Sequence, residues 1–229
     1  MNRLLLIPIA VLALAASMVE AKPAVKPVHV ALVGDSLAYG AGDEEGKGIA
    51  GRISPELRSR GVATVVTTNL GRTGATTSQV AARLREPAAR ETLASADAIV
   101  LSMGANDLRE VFEGGLFNVP YDLVDRVLEN VRTTVTDLRR LNPDARILIL
   151  GAYAPLPDDR VALFLEPLIA AWDSALAMQF ADDPRVTIVR LSDIIDRPER
   201  LSRLDSFHPG AEAYQQAAAR IAALMMAKE

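Results

Sequence analysis

From residue 27 onward the chain alternates short β-branched and apolar runs with longer amphipathic segments, and no other feature restricts the fold as much. The runs cover 28–34, 62–68, 98–102, 146–151 and 186–190. Most are continuously apolar, as expected for strands covered on both faces, which predicts a parallel sheet. Between them, Val124, Val127, Leu128, Val131, Val135 and Leu138 recur at helical spacing, while Asp125, Arg126 and Glu129 fall on another face. Tyr214, Ala218, Ile221 and Met225 repeat the pattern near the C-terminus. Residues 27–229 therefore read as one three-layer α/β domain, a flavodoxin-like parallel sheet of about five strands with helices on both faces. In such a fold, function collects at the carboxyl ends of the strands.

The N-terminus has a different character. Met1-Asn2-Arg3 is a short basic start, followed by an apolar run from Leu4 to Ala16 and by Val19-Glu20-Ala21. That run is shorter than the roughly 20 residues a membrane-spanning helix needs, and Val-x-Ala suits cleavage after Ala21. Residues 1–21 read as a secretory signal peptide and 22–26 as a tether, so the mature protein is expected in the periplasm or the medium, without a stable membrane span. An uncleaved N-terminal anchor is the competing reading.

With 25 Lys+Arg against 29 Asp+Glu, the net charge is -4, and no basic excess is available to drive nucleic-acid binding by counterion release. The absence of cysteine excludes disulfides, a thiol nucleophile and thiolate zinc sites. Nothing in the pattern specifies an oligomeric state.

Polar residues gather where the fold predicts function. Gly34-Asp35-Ser36 follows the first strand, Asn69 to Gly74 the second, Gly104-Ala105-Asn106-Asp107 the third, and Asp205-Ser206-Phe207-His208 the fifth. The chain has two histidines, and His29 lies early in the first strand, about 20 Å from Ser36 at roughly 3.3 Å per residue. A histidine acting beside Ser36 must be His208.

In order along the chain, these blocks resemble the SGNH (GDSL) hydrolases: Gly34-Asp35-Ser36-Leu37, Gly74 within Asn69–Gly74, Asn106, and Asp205-x-x-His208. The resemblance implies a Ser36 nucleophile, His208 as base, Asp205 orienting it, and an oxyanion hole from the Ser36 and Gly74 N–H groups and the Asn106 amide. It implies no metal and no cofactor. Gly71 competes with Gly74 for the second block.

The chemistry suits these residue types. A serine hydroxyl attacks a carbonyl only when a neighbouring base takes its proton. Asp205, three residues before His208, is spaced to accept the other ring N–H and fix the tautomer. Preset amide donors then stabilise the tetrahedral oxyanion.

Each residue also has a plainer role open to it. Ser36 could cap a helix, Asn106 and Asp107 could form a turn, and His208-Pro209-Gly210 could start the last helix. Asp35 and Asp107 read as structural, and His29 as a packed strand residue. The acidic run Asp43-Glu44-Glu45 could be proposed as a metal site, but it lacks EF-hand spacing and reads as solvated surface. Nucleotide motifs fail: Gly48 follows Lys47 where a P-loop requires Ser or Thr, and Glu45 stands where a dinucleotide fingerprint requires glycine. Ala38 replaces the second glycine of a Gly-x-Ser-x-Gly elbow.

The expected partner is a small-molecule ester: a lipid, lysophospholipid, thioester or small acyl ester. Alternatives are O-acetylated glycans, or a non-catalytic ligand-binding domain of the same fold. Aromatics are only 4% of residues, with one Trp, which leaves few platforms for sugar stacking. Phe112, Leu116 and Phe117 after the third strand, and Tyr153 and Leu156 after the fourth, are candidates to line an acyl groove, or to anchor their own loops.

Overall fold

A computed structural model describes residues 26–107, 122–154 and 159–227. The leader, residues 22–25 of the tether, and Phe112, Leu116, Phe117 and Leu156 lie outside the described residues.

Five strands, β1 (Val28–Gly34), β2 (Val65–Gly71), β3 (Ala98–Ser102), β4 (Arg146–Leu150) and β5 (Val186–Val189), form one sheet in the order β2-β1-β3-β4-β5. Every pairing is parallel, as a βα alternation requires. The flanking helices are α1 (Ser36–Tyr39), α2 (Gly48–Ser59), α3 (Thr77–Arg83), α4 (Pro87–Ser95), α5 (Leu123–Leu141), α6 (Asp159–Gln179) and α7 (Ala211–Met226).

Alternate strand residues supply two cores. Val30, Leu32, Val100, Leu148 and Leu150 pack against Ile49, Ile53 and Leu57 of α2 and Tyr214, Ala218 and Ile221 of α7. On the other face, Ala31, Val33, Ile99, Leu101, Ile147 and Ile149 meet Leu93 of α4, Val131, Val135 and Leu138 of α5, and Leu176 of α6. Each large side chain fully buried in this way contributes about 1.5–3 kcal/mol. Because both faces are covered, the central strands carry no polar stripe.

The second strand begins three residues later than its apolar run predicts, with Val65 opposite Val28. It is an edge strand, so it tolerates Thr67, Thr68 and Asn69, and Val66 remains 45% exposed. A search for continuous apolar residues therefore sets its register too early. On α5, Leu123 is buried while Val124 is exposed, so the helical stripe starts one residue earlier than the sequence pattern suggests. His29 bridges two elements, with Nε2 3.0 Å from Thr68 Oγ1 and Nδ1 3.3 Å from Ser95 Oγ.

Candidate active site

The carboxyl ends of β2, β1 and β3, neighbours in the sheet, bring the first three polar blocks together. Asp35 donates its backbone N–H to the carbonyl of Ser102 at the end of β3, and Arg72, just past β2, donates to the Gly34 carbonyl. Ser36 is thereby set at the start of α1, a single helical turn at the carboxyl end of β1, where it is half-buried.

Asp35 holds that turn. Its Oδ1 caps Leu37 N–H at 3.0 Å and accepts the Ser102 hydroxyl at 2.6 Å. The same Ser102 oxygen accepts the N–H groups of Asp35 and Ala38. Burial pushes the Asp35 carboxyl above its ordinary range, and the hydrogen bonds from Ser102 and Leu37 and the charge of His208 oppose the rise without reversing it.

The two competing glycines of the second block occupy different surroundings. A methyl group on Gly71 would overlap the backbone of Ala38 and Tyr39, so Gly71 serves close packing of β2 against α1. Gly74, at φ +78°, has open space where its Cβ would stand, and only glycine takes that backbone without strain. Asn69 ties the start of the bend between them to α1: its amide donates to the Tyr39 carbonyl at 3.2 Å, and its oxygen accepts Gly71 N–H at 2.9 Å.

Asn106 reaches the same bend from β3. Its Nδ2 donates to the Ala75 carbonyl at 2.9 Å, beside Gly74. Asp107 does more than form a turn, because its Oδ2 accepts Thr77 N–H at 2.8 Å and its Oδ1 accepts the Thr77 hydroxyl at 2.7 Å. Thr77 is fully buried at the start of α3, and its hydroxyl also accepts from Asn130 of α5. The carboxylate therefore ties the third block to the second.

The fourth block is a compact hairpin before α7. His208 Nδ1 lies 2.7 Å from Asp205 Oδ2, while Asp205 Oδ1 accepts the N–H groups of Phe207 and His208, each at 3.0 Å. Partial burial works to raise the Asp205 carboxyl, but the His208 hydrogen bond and those backbone donors outweigh it and hold the group below its ordinary range. Ser206, between them, adopts the left-handed conformation at φ 53°. The Phe207 ring meets the His208 ring edge-on, and Tyr153 donates its hydroxyl to the Phe207 carbonyl at 3.1 Å. Tyr153, expected to line a groove, thus supports this loop.

The acidic run is not a uniformly solvated face. Asp43 is buried, paired with the buried Arg52 of α2, and accepts the N–H groups of Lys47 and Gly48 at the start of that helix. Glu45 pairs at the surface with Lys47. Among the described residues, no group of three His, Asp or Glu side chains is arranged to hold a metal ion.

A model of the GDSL-like lipase/acylhydrolase family matches residues 32–216, a span that takes in all four blocks. The chain belongs to that family. An uncharacterized Bacillus subtilis protein, YpmR, is 25% identical over 203 residues, covering 85% of this chain and 80% of its own. The fold resembles that of the lipase Lip_vut3 from a goat rumen metagenome, with a TM-score of 0.74 at 21% identity, over 86% of this chain and 96% of that one. It also resembles a catalytic mutant of Axe2, an acetylxylan esterase from Geobacillus stearothermophilus, with a TM-score of 0.64 at 13% identity, over 88% of this chain and 95% of that one.

Sequence reasoning misses the partners of three side chains here: Ser102, Glu44 and Asp107. Ser102 carries a weak signal, since a polar residue ending an otherwise apolar strand needs a buried partner. Glu44 and Asp107 carry none, because their partners are remote in sequence.

Proposed function

We propose that this GDSL-family protein is a serine esterase that cleaves acyl esters through an acyl-enzyme. Ser36 Oγ attacks the ester carbonyl and passes its proton to His208 Nε2. Asp205 accepts the His208 Nδ1–H, which presents Nε2 as the proton acceptor and stabilises the imidazolium. The Ser36 and Gly74 N–H groups and the second N–H of the Asn106 amide receive the oxyanion. As the tetrahedral adduct collapses, the alcohol leaves with the proton from His208, and water then repeats the steps to free the acid and Ser36. The Asp205–His208 pair at 2.7 Å carries this reading, because a carboxylate held on Nδ1 gives the tautomer a general base requires.

Esters of longer, apolar acyl chains fit the surroundings better than glycan acetates. Tyr39, on the helical turn that begins with Ser36, and Leu204 and Phe207, on the loop bearing His208, are large side chains 59%, 70% and 40% exposed. The single Trp, Trp172, is partly buried against the core that includes α4 and α5, with its ring beside Gly104. No helix among the described residues is long and apolar enough to cross a membrane.

A fluorophosphonate tests the nucleophile. It should lose fluoride and phosphonylate Ser36, adding its mass to that peptide, while Ser36→Ala should stay unlabelled and inactive on a chromogenic butyrate ester with its thermal midpoint unchanged. Wild-type turnover by Ser36→Ala would end the proposal, and a preference for acetylated xylan over butyrate would favour the glycan reading. Export after cleavage at Ala21 predicts Lys22 at the mature N-terminus by mass spectrometry, and an intact Met1 would refute it.

A further inference from the structure

We infer that Glu44 is a positioning residue that holds the Asp205–His208 hairpin in register with Ser36. This rests on the serine-esterase reading above. Glu44 Oε1 accepts Arg203 N–H at 2.9 Å and Oε2 accepts Ala211 N–H at 2.8 Å. These two donors bracket Asp205 and His208 in the chain, so one carboxylate grips the hairpin on both sides. Ala211 is the first residue of α7, and its cap position is Gly210, which has no side chain to satisfy the free N–H groups of the first turn. A residue 167 positions away supplies the missing acceptor.

The carboxylate stands on a rigid mount. The Ser36 carbonyl accepts the N–H groups of Gly40 and Ala41, and Tyr214 of α7 donates its hydroxyl to the Ala41 carbonyl at 2.7 Å. Next in the chain, a methyl group on Gly42, whose φ is +82°, would overlap the Cβ of His208, so the backbone there lies directly under the base. Asp43 is then anchored by Arg52 and the start of α2. Residues 36–44 thus form one hydrogen-bonded unit with the nucleophile at one end and the grip on the base at the other. Partial burial works to raise the Glu44 carboxyl, but the N–H donors and the Arg203 charge outweigh it and keep it below its ordinary range.

The experiment measures kcat, KM and thermal midpoint for Glu44→Ala, Glu44→Gln, Glu45→Ala and Ser36→Ala on one soluble acyl ester, each well below its own midpoint. A shift on the order of 1 Å between base and nucleophile costs up to about 100-fold, so Glu44→Ala should lose roughly 10- to 100-fold in kcat with KM within about twofold. Glu44→Gln keeps one acceptor oxygen and should recover part of the loss, whereas Glu45→Ala, which removes only an exposed partner of Lys47 and Arg52, should lose far less than Glu44→Ala. Full kcat in Glu44→Ala, or a loss confined to the midpoint or to KM, overturns the inference. If Glu44→Ala does not fold, Glu44→Gln decides, and wild-type kcat there overturns it equally. Turnover by Ser36→Ala would instead overturn the esterase reading beneath it.

Discussion

Asn106 and Asp107 are neighbours with opposite duties, so truncating each to Ala should give opposite signatures. Asn106 spends one amide N–H on the Ala75 carbonyl and has a second to offer beside Gly74. If that second N–H receives the oxyanion, Asn106→Ala should lose about 10²- to 10³-fold in kcat, roughly 3–4 kcal/mol, with KM little changed. Its stability cost is one partly buried neutral hydrogen bond, about 1 kcal/mol, which lowers the thermal midpoint by roughly 2–4 °C in a chain of this size. Asp107 reverses the balance. Both its oxygens serve Thr77, which is fully buried, and hydrogen bonds to a charged group are worth about 1.5–3 kcal/mol each. Asp107→Ala should therefore cost about 4 kcal/mol and roughly 8–16 °C, with a smaller loss of kcat than Asn106→Ala. Steady-state kinetics on one soluble ester and calorimetry on both variants supply all the numbers. Equal, small kcat losses in the two, with similar drops in midpoint, would make Asn106 a turn former and remove it from the oxyanion hole.

Ser102→Ala should cost about 3 kcal/mol, or roughly 6–12 °C in midpoint, because it strips the Asp35 carboxyl of its hydroxyl donor and Ala38 N–H of its acceptor in a buried setting; a shift under about 2 °C would contradict this. Acid should destabilise the protein through Asp43, Glu44 and Asp205, whose folded-state values lie below their ordinary 3.8, 4.5 and 3.8. A depressed carboxyl adds stability above its unfolded value and loses it as pH falls through the folded one, while the raised Asp35 and Asp173 act in the opposite sense. The midpoint should therefore fall as pH drops from about 5 to 3, and a rise over that interval would refute the assignment of these carboxylates as paired anions.

The sheet was legible because its determinants are local. Runs such as Val30 to Val33 and Ala98 to Leu101 are apolar without interruption, and only a strand covered on both faces permits that. The exception is the edge strand, where solvent on one side relaxes the pattern. The blocks that hold Ser36, Gly74, Asn106, Asp205 and His208 could be singled out because each follows a strand and a parallel sheet gathers the strand ends at one edge, while the resemblance to SGNH hydrolases picked the residues within them. Asp205 and His208 are also near in sequence, so their contact follows from the hairpin alone.

What holds these groups in place is not local. Glu44 reaches donors 159 and 167 residues away, Ser102 reaches Asp35 across 67, and Asp107 reaches Thr77 across 30. A carboxylate in a Gly-rich acidic run looks the same in sequence whether it faces water or two backbone N–H groups. The layers, the sheet and the edge at which chemistry collects follow from apolar periodicity, which depends on neighbours along the chain. That Asp43 is buried against Arg52, that Gly71 packs while Gly74 stands open, and that Glu44 grips the histidine hairpin emerges only on folding, because a hydrogen bond to a remote backbone leaves no trace in the spacing of side chains.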